Sequence, residues 1–302
     1  MDASLAVVLL GHGTPGSLDD VPAFLANIRR GRAVPAELVT EVRRRYAAIG
    51  GRSPLLEISR SIATKLSSRT GAAVHVAMRS WQPLIADVLA ELVSSGVRTV
   101  LSLPLAPYSP ESYHAVVKTF AEANAARLGV IEAPAWHMSP PWIEGLERRV
   151  RAAMDSATSH GRTGLIMTAH SIPTHVVDAG DPYPRRVRET FNAIASRVGV
   201  SGTARLAFQS QGMTSDPWLG PDLHTALSEV RASGCDCVVV AAIGFPTDHV
   251  EVLYDLDIEA CGWAESMGLH FVRAKSLNDA DELIDALTQV VDSCVAATAT
   301  PR

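Results

Sequence analysis

No stretch of this sequence approaches the ~18 apolar residues in a row that a membrane-spanning helix requires, so no segment is expected to cross a bilayer. The opening Met-Asp-Ala-Ser-Leu-Ala lacks the positive start of a signal peptide, and Gly11-His12-Gly13 interrupts the first apolar run early. A cytoplasmic protein is expected, with a peripheral membrane contact still compatible. Excess basic charge is missing too: 27 Lys and Arg face 32 Asp and Glu, a formal charge of −5. Nucleic-acid and anionic-membrane partners both want a concentrated basic surface, and are excluded as the main role. Cysteines are few, namely Cys235, Cys237, Cys261 and Cys294. In a reducing compartment they are most simply free thiols. Cys235-Asp-Cys237 resembles half a metal site, yet no second close pair completes four thiolates, and an apolar run follows at once. Low complexity is confined to the tail, Ala296 to Arg302, where fraying is expected.

What is present is a normal globular composition, 47% apolar and 20% charged over 302 residues, enough for one large domain or two ordinary ones. Short apolar runs at 5–10, 73–78, 99–105, 164–169, 204–208, 237–243 and 270–273 are bounded by Gly, Pro or Ser. Such runs read as strands buried on both faces. Between them lie helical patterns, for example at 150–156, 223–232 and 282–295. In the last, Leu283, Leu287, Val290, Val291 and Cys294 share one face. Alternation of this kind predicts an α/β fold with largely parallel sheets.

The two halves echo each other. An apolar run leads into His12-Gly-Thr-Pro15, and another into His170-Ser-Ile-Pro173, with the same offset for both residues (170 − 12 = 173 − 15). Each half later ends a strand in a proline-bearing loop, Leu105-Ala-Pro107 and Gly244-Phe-Pro246. Two similar Rossmann-like lobes, each a parallel sheet flanked by helices, with a cleft between them, are expected. The first would hold 1–117 and 275–302, the second 118–274. Ligands would sit at the carboxyl ends of the strands.

Several motifs have plain readings. Gly11-His-Gly13-Thr-Pro-Gly16 matches G-x-G-x-x-G formally, but no second strand follows within ~30 residues, so nucleotide binding is not indicated. Gly180-Asp-Pro-Tyr-Pro184 and the Asp-Pro turn before Trp218 are turn-formers expected to brace a rim. Arg29-Arg30-Gly31-Arg32 and Arg43-Arg44-Arg45, with Ser53, could be a solvated face or could grip carboxylates through bidentate bonds. More pointed is His170, at the end of an apolar strand. So is the series Glu251, Asp255, Glu259, whose spacing of four puts all three acids on one face of a helix. Like charges so arranged repel by a few tenths of a kcal/mol per pair. A stripe of this kind with an imidazole at one end suits the handling of cations or protons.

Taken together, these residues resemble the ferrochelatases, which insert ferrous iron into a porphyrin. The similarity runs from about Leu5 to the last helix. It is carried by Tyr46-Ala-Ala-Ile-Gly-Gly-Arg-Ser-Pro-Leu55, Ala169-His-Ser-Ile-Pro173 with Gly180-Asp-Pro-Tyr183, Gln209-Ser-Gln-Gly212 with Trp218-Leu-Gly-Pro221, and Gly244-Phe-Pro-Thr-Asp-His-Val-Glu251. Ile28-Arg-Arg-Gly-Arg32 and Tyr108-Ser-Pro-Glu-Ser-Tyr113 resemble the soluble Gram-positive members, which act on coproporphyrin III rather than protoporphyrin IX. The resemblance implies His170 and Glu251 as catalytic residues and His170, Glu251, Asp255 and Glu259 as the metal path. It implies porphyrin contacts at His12, Ile28, Arg29, Arg30, Arg45, Ser53, Arg79, Ser109 and Tyr113. His12 stands where those members carry a tyrosine facing the iron.

The same resemblance implies haem biosynthesis as the setting, a monomer whose last helix packs back on the first lobe, and contact with neighbouring haem-pathway enzymes. No organic cofactor is called for. Fe²⁺ is a substrate, Mg²⁺ at the outer carboxylates suits their hard oxygens, and no [2Fe–2S] cluster is expected because only Cys294 lies near the end. The chemistry removes two pyrrolic protons, with a neutral His170 as acceptor or ligand and peripheral binding energy spent on tilting a pyrrole. Protoporphyrin IX as substrate, a cobalt or nickel chelatase, and a non-catalytic haem carrier are the competing readings.

Overall fold

Eight strands form in the computed structural model, which describes residues 5–29, 31–123, 128–200, 203–212 and 216–299. They are β1 (Leu5–Gly11), β2 (Val74–Met78), β3 (Thr99–Pro104), β4 (Gly129–Glu132), β5 (Thr163–His170), β6 (Arg205–Gln209), β7 (Cys237–Ala241) and β8 (His270–Ala274). The first four make one parallel sheet in the order β2-β1-β3-β4, and the last four another in the order β6-β5-β7-β8. The order is the same in both, so the echo between the halves extends to topology. In each, the central strand that opens the half ends at a His-x-x-Pro.

The chain divides into two compact units, Met1–Trp136 with Asn278–Arg302, and His137–Leu277. The first boundary falls later than the expected 117, because β4, a strand of four residues not anticipated from sequence, pairs with β3. A run so short and half-polar carries no alternation to read. The other seven strands fall where the apolar runs put them.

In the first unit, Ala6, Val8 and Leu10 of β1 pack with Ala77, Leu89, Val100 and Val117. The last helix, Asp281–Ala299, lies in the same unit, against the helix Leu55–Thr70. Its expected apolar face is buried, with Leu283, Leu287 and Val291 at 0% exposure. Polar ties reinforce the contact: Lys65 Nζ lies 2.8 Å from Asp279 Oδ2, and Arg69 Nη1 pairs with Asp285 Oδ1. In the second unit, Ile166, Val238 and Val240 of the sheet pack with Leu227 and Val230 of the helix Leu223–Ala232 and with Val252, Leu256 and Ala260. Asp222 caps that helix, accepting a 2.7 Å bond from the Thr225 N–H. Among the described residues no helix is long and apolar enough to cross a membrane.

Candidate active site

Strand order locates the site in the second unit. In a doubly wound sheet the chain leaves neighbouring central strands in opposite directions, which opens a crevice at their carboxyl ends. Here those strands are β5, ending at His170, and β7, followed by the loop to Glu251. The loop crosses β5 closely. Gly244 N–H bonds the Thr168 carbonyl at 2.9 Å, and a Cβ on Gly244 would lie 2.6 Å from Ala169 Cα. Only glycine fits there. Gly244→Ala is therefore expected to push the loop away from β5 at a cost of about 1–3 kcal/mol, seen as a lower urea midpoint together with slower turnover.

His170 and Glu251 are brought together, Nε2 to Oε1 at 3.5 Å. The other imidazole nitrogen, Nδ1–H, donates to the Ser171 carbonyl, so Nε2 is the atom left facing the carboxylate. The Tyr183 hydroxyl donates to the His170 carbonyl at 2.8 Å, and Asp181 Oδ1 accepts from the Tyr183 N–H at 2.8 Å. The Gly180-Asp-Pro-Tyr turn thus fixes the end of the histidine's own strand. Phe245 stands edge-on to His170, ring centroids 6.4 Å apart.

Sequence reasoning assigned no role to His249, although it lies inside a quoted motif. Its Nε2 is 3.4 Å from Glu251 Oε2, and its Nδ1 bonds the Thr247 carbonyl at 3.1 Å. Glu251 therefore sits between two imidazoles. Gln209 and Ser210, also without an assigned role, come from the end of β6, where Gln209 is the register partner of His170. Gln209 Nε2 donates to the Glu251 carbonyl at 2.6 Å, and Ser210 Oγ donates to Asp255 Oδ2. Ser210 adopts φ +59°, an uncommon conformation for a non-glycine residue. The signal available in advance was the Gln-Ser-Gln-Gly run at the end of a strand neighbouring that of His170.

Charge on the pair departs from expectation. Partial burial works against a charged imidazole at His170. The Glu251 carboxylate, the Ser171 carbonyl and the Asp255 charge outweigh it, and push His170 up to about 9. Burial would raise Glu251, but His170 and His249 hold it well below the usual carboxylate range. Both directions favour an imidazolium–carboxylate pair over the neutral imidazole expected.

The acidic stripe also differs from a plain α-helix. Val250–Leu253 is α-helical, but Asp255–Ala260 is a π-turn, with Glu259 N–H bonded to the Tyr254 carbonyl five residues back at 3.0 Å. In an α-helix, residues four apart drift by about 40° around the axis, so a row of three acids would wind away. A wider π-turn rotates less per residue and offsets that drift. Asp255 is buried and Glu259 partly so. Among the described residues no three His, Cys, Asp or Glu side chains form a group able to hold a metal ion. The expected metal residues His170, Glu251, Asp255 and Glu259 are thus not gathered into one closed cage.

The remaining expected residues belong to the first unit. Arg79 N–H bonds the Gly11 carbonyl and Ser80 N–H the His12 carbonyl, which sets Arg79 beside His12 at the ends of β1 and β2. The Arg79 guanidinium lies 5.8 Å from the Tyr113 ring centroid. Ser109 and Tyr113 follow β3, so these residues collect around the first sheet's own crevice. His12 stands edge-on to Phe24, and Phe24 to Trp81. Ile28 is exposed at the end of the helix Val21–Ile28. Next to it, Arg29 Nε bonds the Ala33 carbonyl. Arg45 pairs with Glu41 at 2.7 Å. Ser53 is buried, its Oγ accepting from the Leu55 N–H. Arg30 lies outside the described residues.

Comparison with known proteins identifies the family. The ferrochelatase family model matches residues 4–294. A ferrochelatase of Acidobacterium capsulatum is 34% identical over 312 residues, covering 97% of this chain and 95% of that relative. A coproporphyrin III ferrochelatase of Geobacillus sp. (strain WCH70) is 33% identical over 304 residues, covering 95% and 96%. Among solved structures, SirB from Bacillus subtilis with Fe³⁺ is similar with a TM-score of 0.56 at 12% identity, over 98% of this chain and 97% of that one, a likeness of fold alone. A family match across nearly the whole chain decides against the cobalt or nickel chelatase and the passive carrier: this chain belongs to the ferrochelatase family, enzymes that insert iron into a porphyrin.

Proposed function

We propose that this protein inserts Fe²⁺ into coproporphyrin III to give coproheme, as a cytoplasmic monomer, with His170 and Glu251 at the reacting centre. The observation that carries the assignment of residues is the pair itself, an imidazole and a carboxylate 3.5 Å apart at a topological switch point. Coproporphyrin III is supported by relatives named for that substrate and by an arginine-rich first unit. Arg29, Arg45 and Arg79 with Ser53, Ser109 and Tyr113 could meet four carboxylates rather than two.

The upward shift of His170 implies an order of events. A proton already on His170 must leave before that nitrogen can take a pyrrolic proton or ligate iron. An arriving dication at Glu251 cancels the field that holds the proton there. Metal arrival and proton loss are therefore coupled, with Asp255 and Glu259 as the exit or entry row. The oxygens of these two acids also suit Mg²⁺. His12, with its imidazole, would ligate product iron more strongly than a phenol would.

Anaerobic absorbance assays with Fe²⁺ and each porphyrin test the substrate. Loss of free-base bands should be faster with coproporphyrin III than with protoporphyrin IX, and Arg45→Ala and Arg79→Ala should raise KM for the former more than for the latter. A strong preference for protoporphyrin IX would overturn the assignment.

A further inference from the structure

The segment that carries His249, Glu251, Asp255 and Glu259 is an unusual piece of backbone, α-helical at its start and π-helical beyond Tyr254. π-turns are rare because the α register is normally preferred, so one that persists needs support from outside the segment. Residues on and just after β8 reach this segment. Arg273, one residue from the strand's end, sends Nη1 to Asp248 Oδ1 at 3.1 Å and Nε to a carboxylate oxygen of Asp257. Ser276 Oγ donates to the same Asp248 oxygen at 2.7 Å. The Arg273 and Asp248 side chains are only 16% and 17% exposed.

Asp248 immediately precedes His249, and Asp257 lies within the π-turn between Asp255 and Glu259. Residues two apart on a helix do not share a face. Asp257 is thus the acid on the far side of the turn from the row, and the guanidinium grips it there. A planar fork with donors at fixed spacing can hold two carboxylates at once, which a single ammonium does less well. One side chain thereby grips the segment just before His249 and again within the π-turn.

We propose that Arg273 is a positioning residue for iron insertion: by bridging Asp248 and Asp257 it holds the widened turn that keeps Glu251, Asp255 and Glu259 in one row. This rests on the reading of that row given above. Without the bridge the turn relaxes toward the α register, and Asp255 and Glu259 rotate out of line with Glu251.

Steady-state kinetics of the full-length enzyme with Fe²⁺ and porphyrin, combined with amide hydrogen exchange, provide the test. Arg273→Gln should lower kcat by about tenfold or more, the scale expected when supporting groups misplace a reacting centre, with KM for porphyrin unchanged. It should also speed exchange at the Ile258 and Glu259 amides. Asp257→Asn, at a partly exposed and isosteric position, should act in the same direction by about threefold to fivefold. Arg273→Lys should restore part of the loss. Should Arg273→Gln fail to fold, Asp257→Asn decides: wild-type kcat and wild-type exchange in that variant would sink the proposal. A parallel rise in porphyrin KM in Arg273→Gln would also count against it, because a general loss of structure predicts that and a local rotation does not. If His170→Ala still inserts iron, the reading of the row falls instead, whatever Arg273 does.

Discussion

His170→Ala should retain porphyrin binding and lose iron insertion by about 10²–10⁴-fold, the range attached to a single positioned acid–base group. The separation of the two effects follows from the division of the chain. His170 lies in the second unit, whereas the proposed porphyrin contacts Ile28, Arg29, Arg45, Ser53, Arg79, Ser109 and Tyr113 all lie in the first. Porphyrin affinity, followed by fluorescence quenching of the free-base ring, should hardly change. Insertion, followed by loss of free-base bands under anaerobic conditions, should nearly vanish. His170 is also not a strut of the core: its ring is 37% exposed, and Tyr183 holds its backbone, not its imidazole. The fold is therefore expected to survive, with thermal melting showing a cooperative transition at a somewhat lower temperature because the attraction to Glu251 is lost. If His170→Ala inserted iron at the wild-type rate, the imidazole would have no part in the chemistry.

The second large effect is expected for Glu251→Gln, and it is one of pH as well as rate. In the wild type the Glu251 charge helps hold His170 at about 9. Iron must displace that proton, so apparent Fe²⁺ affinity should climb with pH until about 9 is passed. With glutamine at position 251 the carboxylate is gone and burial acts against the charged ring. The histidine titrates at lower pH, so the climb should level off earlier. Maximal insertion should fall as well, because the cation loses its anionic partner. Stability should follow the same titration with the opposite sign. A histidine raised above its unfolded value of ~6.5 stabilises the folded state fully below that value and loses the contribution as pH rises through about 9. Glu251, lowered in the folded state, contributes above its ordinary value and loses this only as pH falls through its depressed one. Urea midpoints of the wild type should accordingly decline between pH ~6.5 and about 9, and the decline should be much shallower in Glu251→Gln. Identical pH profiles for the two proteins would show that the pair is not coupled.

The strands were legible in sequence because burial on both faces leaves continuous apolar runs, such as Val238–Val240, that need no alternation to be recognised. The last helix was legible because its apolar residues recur at helical spacing and face a single neighbour. By contrast, β4 left no trace, since four residues with Glu132 at one end carry too little pattern. Helical spacing also suggested an ordinary α-helix through Glu251, Asp255 and Glu259. The π-turn there meets long-range partners, Ser210 at Asp255 and Arg273 at Asp257, which no local count of residues reveals.

By itself, the sequence determined the two α/β halves, their shared His-x-x-Pro, and which imidazole and which acids could do chemistry. Those properties reside in local pattern and residue type. Tertiary structure alone decided the upward shift of His170, the enclosure of Glu251 by a second imidazole, and the π-turn that carries the acids. Each of these depends on atoms far apart in the chain coming within a few ångströms, where electrostatic fields and hydrogen bonds, not periodicity, settle the outcome.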